Sequence, residues 1–94
     1  MSGSLKGMLI ILSGVVQGVG LRWFVRQVAV TYGIKGYVKN LFDGSVEVYG
    51  EGDEASLKAF FDEIRIGPGH ADISGVKVNW SEYTGKYNDF RILS

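Results

Sequence analysis

The sequence predicts an α+β fold in which two helices cover one face of an antiparallel sheet. Two segments carry the apolar spacing of amphipathic helices, and the other apolar segments are short, rich in β-forming residues and separated by turn residues. The predicted order is strand, helix, strand, strand, helix, strand, with a short additional strand at the end. Two helical crossovers around a hairpin are typical of the split βαβ arrangement, the ferredoxin-like two-layer sandwich.

The composition limits the classes of protein that the chain could be. Its 94 residues suffice for one domain with a single core, and a hydrophobic content of 46% excludes a disordered chain. Ten basic residues balance ten acidic residues, so no net charge would attract nucleic acid or an anionic membrane. Since the chain has no cysteine and only one histidine, His70, cysteine chemistry and a histidine cluster are excluded, and we expect no metal and no other cofactor.

The first seven residues differ in character from those that follow. Residues 1–7, MSGSLKG, are mostly small or polar and predict a flexible N-terminal tail before a domain at residues 8–94. One lysine followed by a five-residue apolar run is too short for a signal peptide. No stretch is long enough to span a membrane. We therefore expect a cytoplasmic protein without a membrane partner, and we expect it to be a monomer.

The first strand and the first helix follow this tail. Met8 to Leu12 are all apolar, which predicts a central strand. Apolar residues at positions i, i+3, i+4, i+7, i+8 and i+11 then predict an amphipathic helix from Leu21 to Tyr32. Gly33 ends this helix because glycine tolerates the left-handed conformation.

A hairpin comes next. Residues 34–40 contain β-forming side chains and predict the second strand. Asp43-Gly44 between two strand-like segments is a strong hairpin signal. In residues 45–50 valines alternate with more polar residues, so the third strand should have one covered face and one more polar face.

The last third of the chain predicts a second helix and two strands. Asp53 is a plausible N-cap, and Gly67-Pro68 stops the helix. The apolar stripe of this helix consists of Leu57, Phe60, Phe61 and Ile64. Alternating apolar residues at 76, 78 and 80 predict the fourth strand, with a bulge near Gly75 because Ile73 is out of phase, and residues 90–93 predict a short edge strand.

The segment between the first strand and the first helix, which we call the glycine loop, is residues 14–22, GVVQGVGLR. Gly14, Gly18 and Gly20 can adopt positive φ angles, so successive backbone amides can converge on an anion beside the positive end of the helix dipole. Arg22 adds a planar set of donors that suits two oxygens of one phosphate. The alternative is a tight turn with a solvated Arg22. Patterns for dinucleotide and Walker-type nucleotide binding do not fit.

Asn40, at the end of the second strand, is the other candidate site residue. A right-handed crossover makes the first and second strands parallel, so the glycine loop and Asn40 should emerge at the same edge of the sheet. Because the third strand lies between the first and the second, we expect the ends of those two strands to be roughly 10 Å apart. The Asn40 amide can donate and accept, which suits holding a water in one orientation. The alternative is an asparagine that closes its own turn.

Four ordered blocks of the sequence resemble the motifs of acylphosphatases. The blocks are VQGVGLR at 16–22, GIKGYVKN at 33–40, DGSVE at 43–47 and GP at 67–68. They cover nearly the whole chain after residue 7, and four spaced blocks are more specific than one glycine loop. The resemblance implies the ferredoxin-like sandwich and the hydrolysis of the carboxyl-phosphate anhydride bond of acyl phosphates to a carboxylate and inorganic phosphate, without a metal or cofactor.

The resemblance also implies the roles of the site residues. Arg22 matches the family's phosphate-binding arginine and Asn40 its water-positioning asparagine, with inorganic phosphate as product and inhibitor. Leu21 stands where the family usually has Phe, which changes the packing beside Arg22. Val15 stands where a basic residue is frequent, so the approach to the site should be less positive and substrate capture weaker. The implied phosphate-binding loop consists of Gln17, Gly18, Val19, Gly20, Leu21 and Arg22.

Two other interpretations of the function are compatible with parts of the sequence. RNA-recognition domains share this order of elements, and Lys35-Gly36-Tyr37 superficially begins an RNP1 motif, but the motif breaks at Val38 and lies on the second strand instead of the third. The other reading is a non-catalytic anion sensor or a detached copy of the acylphosphatase-like domain of larger maturation proteins. His70 is interpreted as a solvent-facing loop residue.

Overall fold

The computed structural model describes residues 4–69 and 71–93 and contains five strands and two helices in the predicted order. The strand order in the sheet is β4-β1-β3-β2-β5. The ferredoxin-like α+β prediction is confirmed. The elements are β1 (Leu5–Val15), α1 (Leu21–Tyr32), β2 (Lys35–Asn40), β3 (Val46–Asp53), α2 (Glu54–Ile64), β4 (Asp72–Glu82) and β5 (Phe90–Ile92).

Strand directions place the ends of β1 and β2 together. β3 pairs antiparallel with both β1 and β2, so these two strands run parallel with β3 between them, as predicted. β4 pairs antiparallel with β1. β5 pairs with β2 in parallel, so the sheet is mixed and the prediction of a wholly antiparallel sheet was wrong for this strand. The reason is that the chain crosses from the β4 edge to the β2 edge and reverses, which makes β5 antiparallel to β4 and therefore parallel to β2.

The core lies between the helices and one face of the sheet. On β1 and β3 alternate residues are buried against the helices, as expected for strands with one covered face. Phe60 of α2 and Phe90 of β5 meet edge to face with ring centroids 6.1 Å apart. The buried apolar side chains are Met8, Ile10, Leu12, Val16, Leu21, Val25, Val28, Ala29, Ile34, Val38, Val46, Val48, Leu57, Phe60, Ile64 and Phe90.

β1 begins earlier than the predicted domain. Residues 5–7, which the sequence pattern assigned to the tail, pair with Glu51 to Asp53 of β3. The Ser4 carbonyl also accepts a hydrogen bond from the amide of Glu54 at 2.9 Å. These contacts are made by the backbone, so the side chains of this segment do not indicate them. Residues 1–3 lie outside the described residues.

The predicted bulge is present where β1 meets β4. Ser13 faces Gly75 and Gly14 faces Ile73, so Ser74 is the extra residue. Gly14 has a φ of 121°, and a Cβ built there would lie 2.2 Å from the carbonyl oxygen of Asp72. A side chain at position 14 would therefore push the two strands apart just before the glycine loop.

The face of the sheet opposite the helices is crossed by residues 83–89, which we call the crossing loop. Glu51 of β3 is buried beneath it and accepts hydrogen bonds from the Thr84 amide at 2.9 Å, the Thr84 hydroxyl at 2.7 Å and the Gly85 amide at 3.1 Å. The hydroxyl of Tyr49 donates to the same carboxylate at 2.5 Å. Tyr87 of the crossing loop packs against Tyr49 with ring centroids 5.4 Å apart. The loop is thus fixed to the central strands.

In the described part of the chain, neither helix has the length and apolarity needed to cross a membrane.

Candidate active site

The glycine loop leaves β1 at Val15 and enters α1 at Leu21. Gly18 and Gly20 have φ angles of 75° and 78°, as predicted. A Cβ at either position would meet nothing within 4 Å. Glycine is therefore favoured there because the backbone is left-handed, although a larger side chain would have room.

The N-terminus of α1 has no side-chain cap. Gly20 is its N-cap and offers no side chain, and the first turn contains no acidic residue. Among the described residues, the amides of residues 18–23 have no hydrogen-bond acceptor. The first helical hydrogen bond at this end runs from the Phe24 amide to the Gly20 carbonyl at 3.1 Å. Several donors and the positive end of the helix dipole are therefore available for an anion.

Arg22, the second residue of α1, lies beside these amides. Its side chain is partly exposed and has no hydrogen bond or ion pair with any residue that the structure describes. By contrast, Arg65 and Arg91 each pair with a nearby aspartate. The guanidinium of Arg22 is thus free to bind a ligand oxygen.

Gln17 connects the glycine loop to the β2–β3 hairpin. Its Nε2 donates to the carbonyl of Leu41 at 2.8 Å and to the carbonyl of Ser45 at 2.9 Å. Sequence reasoning included Gln17 in the phosphate-binding loop but missed this contact. Because the acceptors are backbone carbonyls 24 and 28 residues away, side-chain types carry no signal for it.

Asn40 is the last residue of β2 and pairs with Val46 of β3. Since paired residues share a face and Val46 is fully buried in the core, Asn40 lies on the helix-facing side of the sheet. Its Oδ1 is buried and has no hydrogen-bond donor among the described residues. An unpaired buried acceptor costs about 1–3 kcal/mol, so this oxygen calls for a donor from outside the chain, such as water.

The turn that follows Asn40 is held by Asp43. Its Oδ1 accepts from the Ser45 amide at 2.9 Å and from the Ser45 hydroxyl at 2.5 Å. The hydrogen bond from the hydroxyl, followed by that from the amide, lowers the pKa of Asp43. The turn therefore keeps a fixed shape at neutral pH, and with it the two carbonyls that Gln17 binds.

These elements bring the predicted site residues to one end of the molecule. The parallel directions of β1 and β2 place the glycine loop and Asn40 at the same edge of the sheet. The bond from Gln17 to Leu41 is a direct contact between the loop and the residue after Asn40. Across residues 4–69 and 71–93, no group of three or more His, Asp or Glu side chains could hold a metal ion. His70 lies outside the described residues.

The fold and this end of the sheet together define a class of protein. It is a ferredoxin-like α+β domain whose first helix begins with backbone amides and an arginine that have no partner within residues 4–69 and 71–93, and an asparagine amide ends the parallel strand β2 at the same edge of the sheet. Such a site can bind one tetrahedral anion and one water.

Comparison with known proteins identifies the family. The acylphosphatase family model matches residues 8–92. An acylphosphatase of Caldanaerobacter subterraneus subsp. tengcongensis is 52% identical over 81 residues, which are 86% of this chain and 90% of that protein. The chain therefore belongs to the acylphosphatase family, whose reaction is the hydrolysis of acyl phosphates.

Solved structures show the same domain in two settings. The crystal structure of acylphosphatase from Bacillus subtilis has a TM-score of 0.91 and 34% identity and covers 95% of this chain and 99% of its own. Full-length HypF in the phosphate- and nucleotide-bound form has a TM-score of 0.87 and 31% identity, and the match covers 100% of this chain and 12% of that protein. The family and activity expected from the sequence are confirmed, and the RNA-binding or non-catalytic alternative is not favoured.

Proposed function

We propose that the glycine loop and Arg22 bind the phosphoryl group of a small acyl phosphate while Asn40 orients the water that attacks it. The oxygen of this water bonds to phosphorus as the bond from phosphorus to the acyl oxygen breaks. The bonding electrons leave with the carboxylate, and a proton of the water passes to a phosphate oxygen. The products are a carboxylate and inorganic phosphate.

The observation that carries this proposal is the buried Oδ1 of Asn40, which meets no donor in the part of the chain that the structure describes. A bound water can donate to Oδ1 and direct a lone pair toward phosphorus. Asn40 is not a base at any ordinary pH, so it positions the water without removing its proton. An acyl phosphate is already activated, so positioning and charge stabilisation suffice without a nucleophilic side chain.

The phosphoryl charge is balanced by donors that the fold leaves free. A guanidinium about 4 Å from a phosphate charge at an effective dielectric near 20 contributes on the order of 4 kcal/mol before desolvation. The unpaired amides of the loop and the helix dipole add to this stabilisation. Inorganic phosphate should occupy the same place and inhibit.

The expected oligomeric state, location and partners of the enzyme follow from the site and from the composition. We expect it to act as a monomer in the cytoplasm, since the residues of the site come from one chain and the sequence contains no cysteine. We expect neither a nucleic-acid partner, because the chain has no net charge, nor a cofactor, because the proposed chemistry needs none.

Substitution of Asn40 tests the proposal. In Asn40→Ala we expect kcat for benzoyl phosphate to fall by about 100-fold or more, because the water loses its orientation, while the inhibition constant of inorganic phosphate stays within about twofold. Hydrolysis is followed by absorbance with and without EDTA, and phosphate binding by phosphorus NMR. Equal losses of turnover and phosphate affinity would assign Asn40 to phosphate binding and contradict the proposal. A wild-type enzyme that needs added metal would contradict the mechanism.

A further inference from the structure

We propose that Phe42 determines specificity at this site by favouring apolar acyl groups over small or charged ones. The inference rests on the proposed function and concerns the part of the substrate that is not phosphoryl. The glycine loop, Arg22 and Asn40 account for the phosphoryl group and the water, but none of them accounts for the acyl group.

The direction in which the acyl group leaves follows from the position of Asn40. The attacking water lies against Asn40, whose Oδ1 is buried. In an in-line displacement the bond that breaks lies opposite to the attacking oxygen. The acyl group therefore points away from the buried end of the site and out through its opening, where the exposed side chains of the rim meet it.

Exposed apolar side chains adjoin the proposed site residues along the chain. Three large apolar side chains that are more than half exposed stand within two residues of a proposed site residue. Val15 precedes Gln17 by two positions, Trp23 follows Arg22, and Phe42 follows Asn40 by two positions. An apolar acyl group would gain free energy by covering such side chains.

Phe42 is the rim residue with the clearest relation to the site. It is fully exposed at the β2–β3 hairpin and has no packing role in the core. It lines an open cavity of about 700 Å³ together with Lys39, Asn40 and Leu41. This volume is in the range of small-molecule sites, so an aromatic or branched acyl group has room beside the Phe42 ring.

Charge at the same cavity disfavours an acyl group with a second anionic group. Arg22 is committed to the phosphoryl group in the proposed function. Lys39 lines the cavity too, but its ammonium is turned toward the face of the sheet opposite to Asn40, where it lies 3.8 Å from Glu47 and 5.7 Å from the centre of the Tyr37 ring. Neither cation is therefore placed to balance a second carboxylate or phosphate on the acyl group.

Three substrates measure the preference: benzoyl phosphate, acetyl phosphate and succinyl phosphate. We expect the wild type to have its highest kcat/KM for benzoyl phosphate. In Phe42→Ala the ratio of kcat/KM for benzoyl phosphate to that for acetyl phosphate should fall by about 10-fold, mainly through KM, since the loss is one of apolar contact. Phe42→Leu should restore most of the ratio.

Tyr83→Ala is the matched control. Tyr83 is an exposed aromatic residue that follows β4, at the end of the sheet opposite the glycine loop, so its removal should leave the ratio unchanged. Equal losses for benzoyl and acetyl phosphate in Phe42→Ala would overturn the proposal, as would a wild-type preference for succinyl phosphate. These outcomes leave the proposed function intact, whereas a wild type that hydrolyses none of the three would refute the proposed function itself.

Discussion

At the scale of single residues, the effect of the donor geometry of Arg22 can be separated from the effect of its charge. Arginine offers two parallel donors to two oxygens of one phosphate, whereas lysine offers a point charge on a flexible stem. We expect Arg22→Lys to lower kcat/KM for benzoyl phosphate by about 100-fold, in line with the loss of one well-placed donor to a reacting oxygen. Steady-state kinetics checks this value.

Arg26→Lys serves as the control for this substitution. Arg26 is exposed one turn further along α1, so the same exchange there should change kcat/KM little. If Arg22→Lys retained near wild-type activity, charge alone would suffice and the two-oxygen contact would be excluded.

The sequence predicted the backbone angles of the glycines better than it predicted the contacts of the polar side chains. The positive φ angles at Gly18 and Gly20 follow from residue type and position between a strand and a helix, and they are confirmed. The contacts of Gln17 and Glu51 were missed, because both side chains bind backbone groups of distant segments. Residue types predict where a backbone must bend, but they do not predict which distant backbone atom a side chain will reach.

At the scale of elements, the site depends on a fixed distance between the glycine loop and the β2–β3 hairpin. Core packing fixes the strands, but residues 16–19 have no strand or helix hydrogen bonds among the described residues. The side chain of Gln17 supplies the connection, through the carbonyls of Leu41 and Ser45. In the proposed function, phosphate binding at the glycine loop after β1 and water binding at the end of β2 are therefore coupled through one amide.

Removal of that amide should lower both the stability of the fold and the activity. In Gln17→Leu we expect the free energy of unfolding to fall by about 2 kcal/mol, as two carbonyls lose a donor. We expect kcat/KM to fall by more than about 10-fold, because a displaced loop misplaces the phosphoryl group relative to the water. Urea unfolding and benzoyl phosphate kinetics measure the two effects.

Gln27→Leu makes the same exchange at an exposed position of α1 and should change neither quantity appreciably. Full activity in Gln17→Leu would show that the loop holds its position without this contact. The result would then assign the placement of the loop to its glycine backbone and the buried Val16.

The element boundaries show why some predictions failed at this scale. Apolar periodicity located α1, α2 and the central strands, because their side chains meet the core. It missed the first three residues of β1 and the direction of β5, which depend on backbone pairing and on the path of the crossing loop. A pattern of apolar side chains indicates which residues are buried, but burial determines neither where β1 begins nor the direction of β5.

At the scale of the whole molecule, the crossing loop connects the two edges of the sheet. β4 forms one edge and β5 the other, and residues 83–89 pass over the open face between them. Glu51, on the central strand β3, receives the hydrogen bonds that hold this passage. β5 in turn pairs with residues 36–38 of β2, close to Asn40. Loss of the Glu51 carboxylate should therefore loosen the fold as a whole.

Glu51 makes stability depend on pH in the acid range. Burial by itself would raise the pKa of Glu51, but hydrogen bonds from Tyr49, Thr84 and Gly85 outweigh it, and the pKa is lowered from its ordinary value of 4.5. Tyr49 stays a neutral donor throughout, because burial and then the bond to Glu51 raise the pKa of Tyr49 to about 12. A carboxyl group with a lowered pKa in the folded state stabilises the fold above its unfolded pKa, and this contribution is lost as the pH falls through the folded value.

We therefore expect the free energy of unfolding to decline below about pH 4.5 and to keep declining until Glu51 is protonated in the folded state. Glu51→Gln should lose about 3 kcal/mol at pH 7, because an amide turns donors toward the amides of Thr84 and Gly85, and its acid decline should be shallower than that of the wild type. Glu82→Gln, at an exposed carboxylate of β4, should match the wild type in both respects. Urea unfolding at a series of pH values measures these quantities. Parallel acid declines in Glu51→Gln and the wild type would place the acid sensitivity in other carboxylates, and would show that the crossing loop is held by the packing of Tyr87 against Tyr37 and Tyr49 instead.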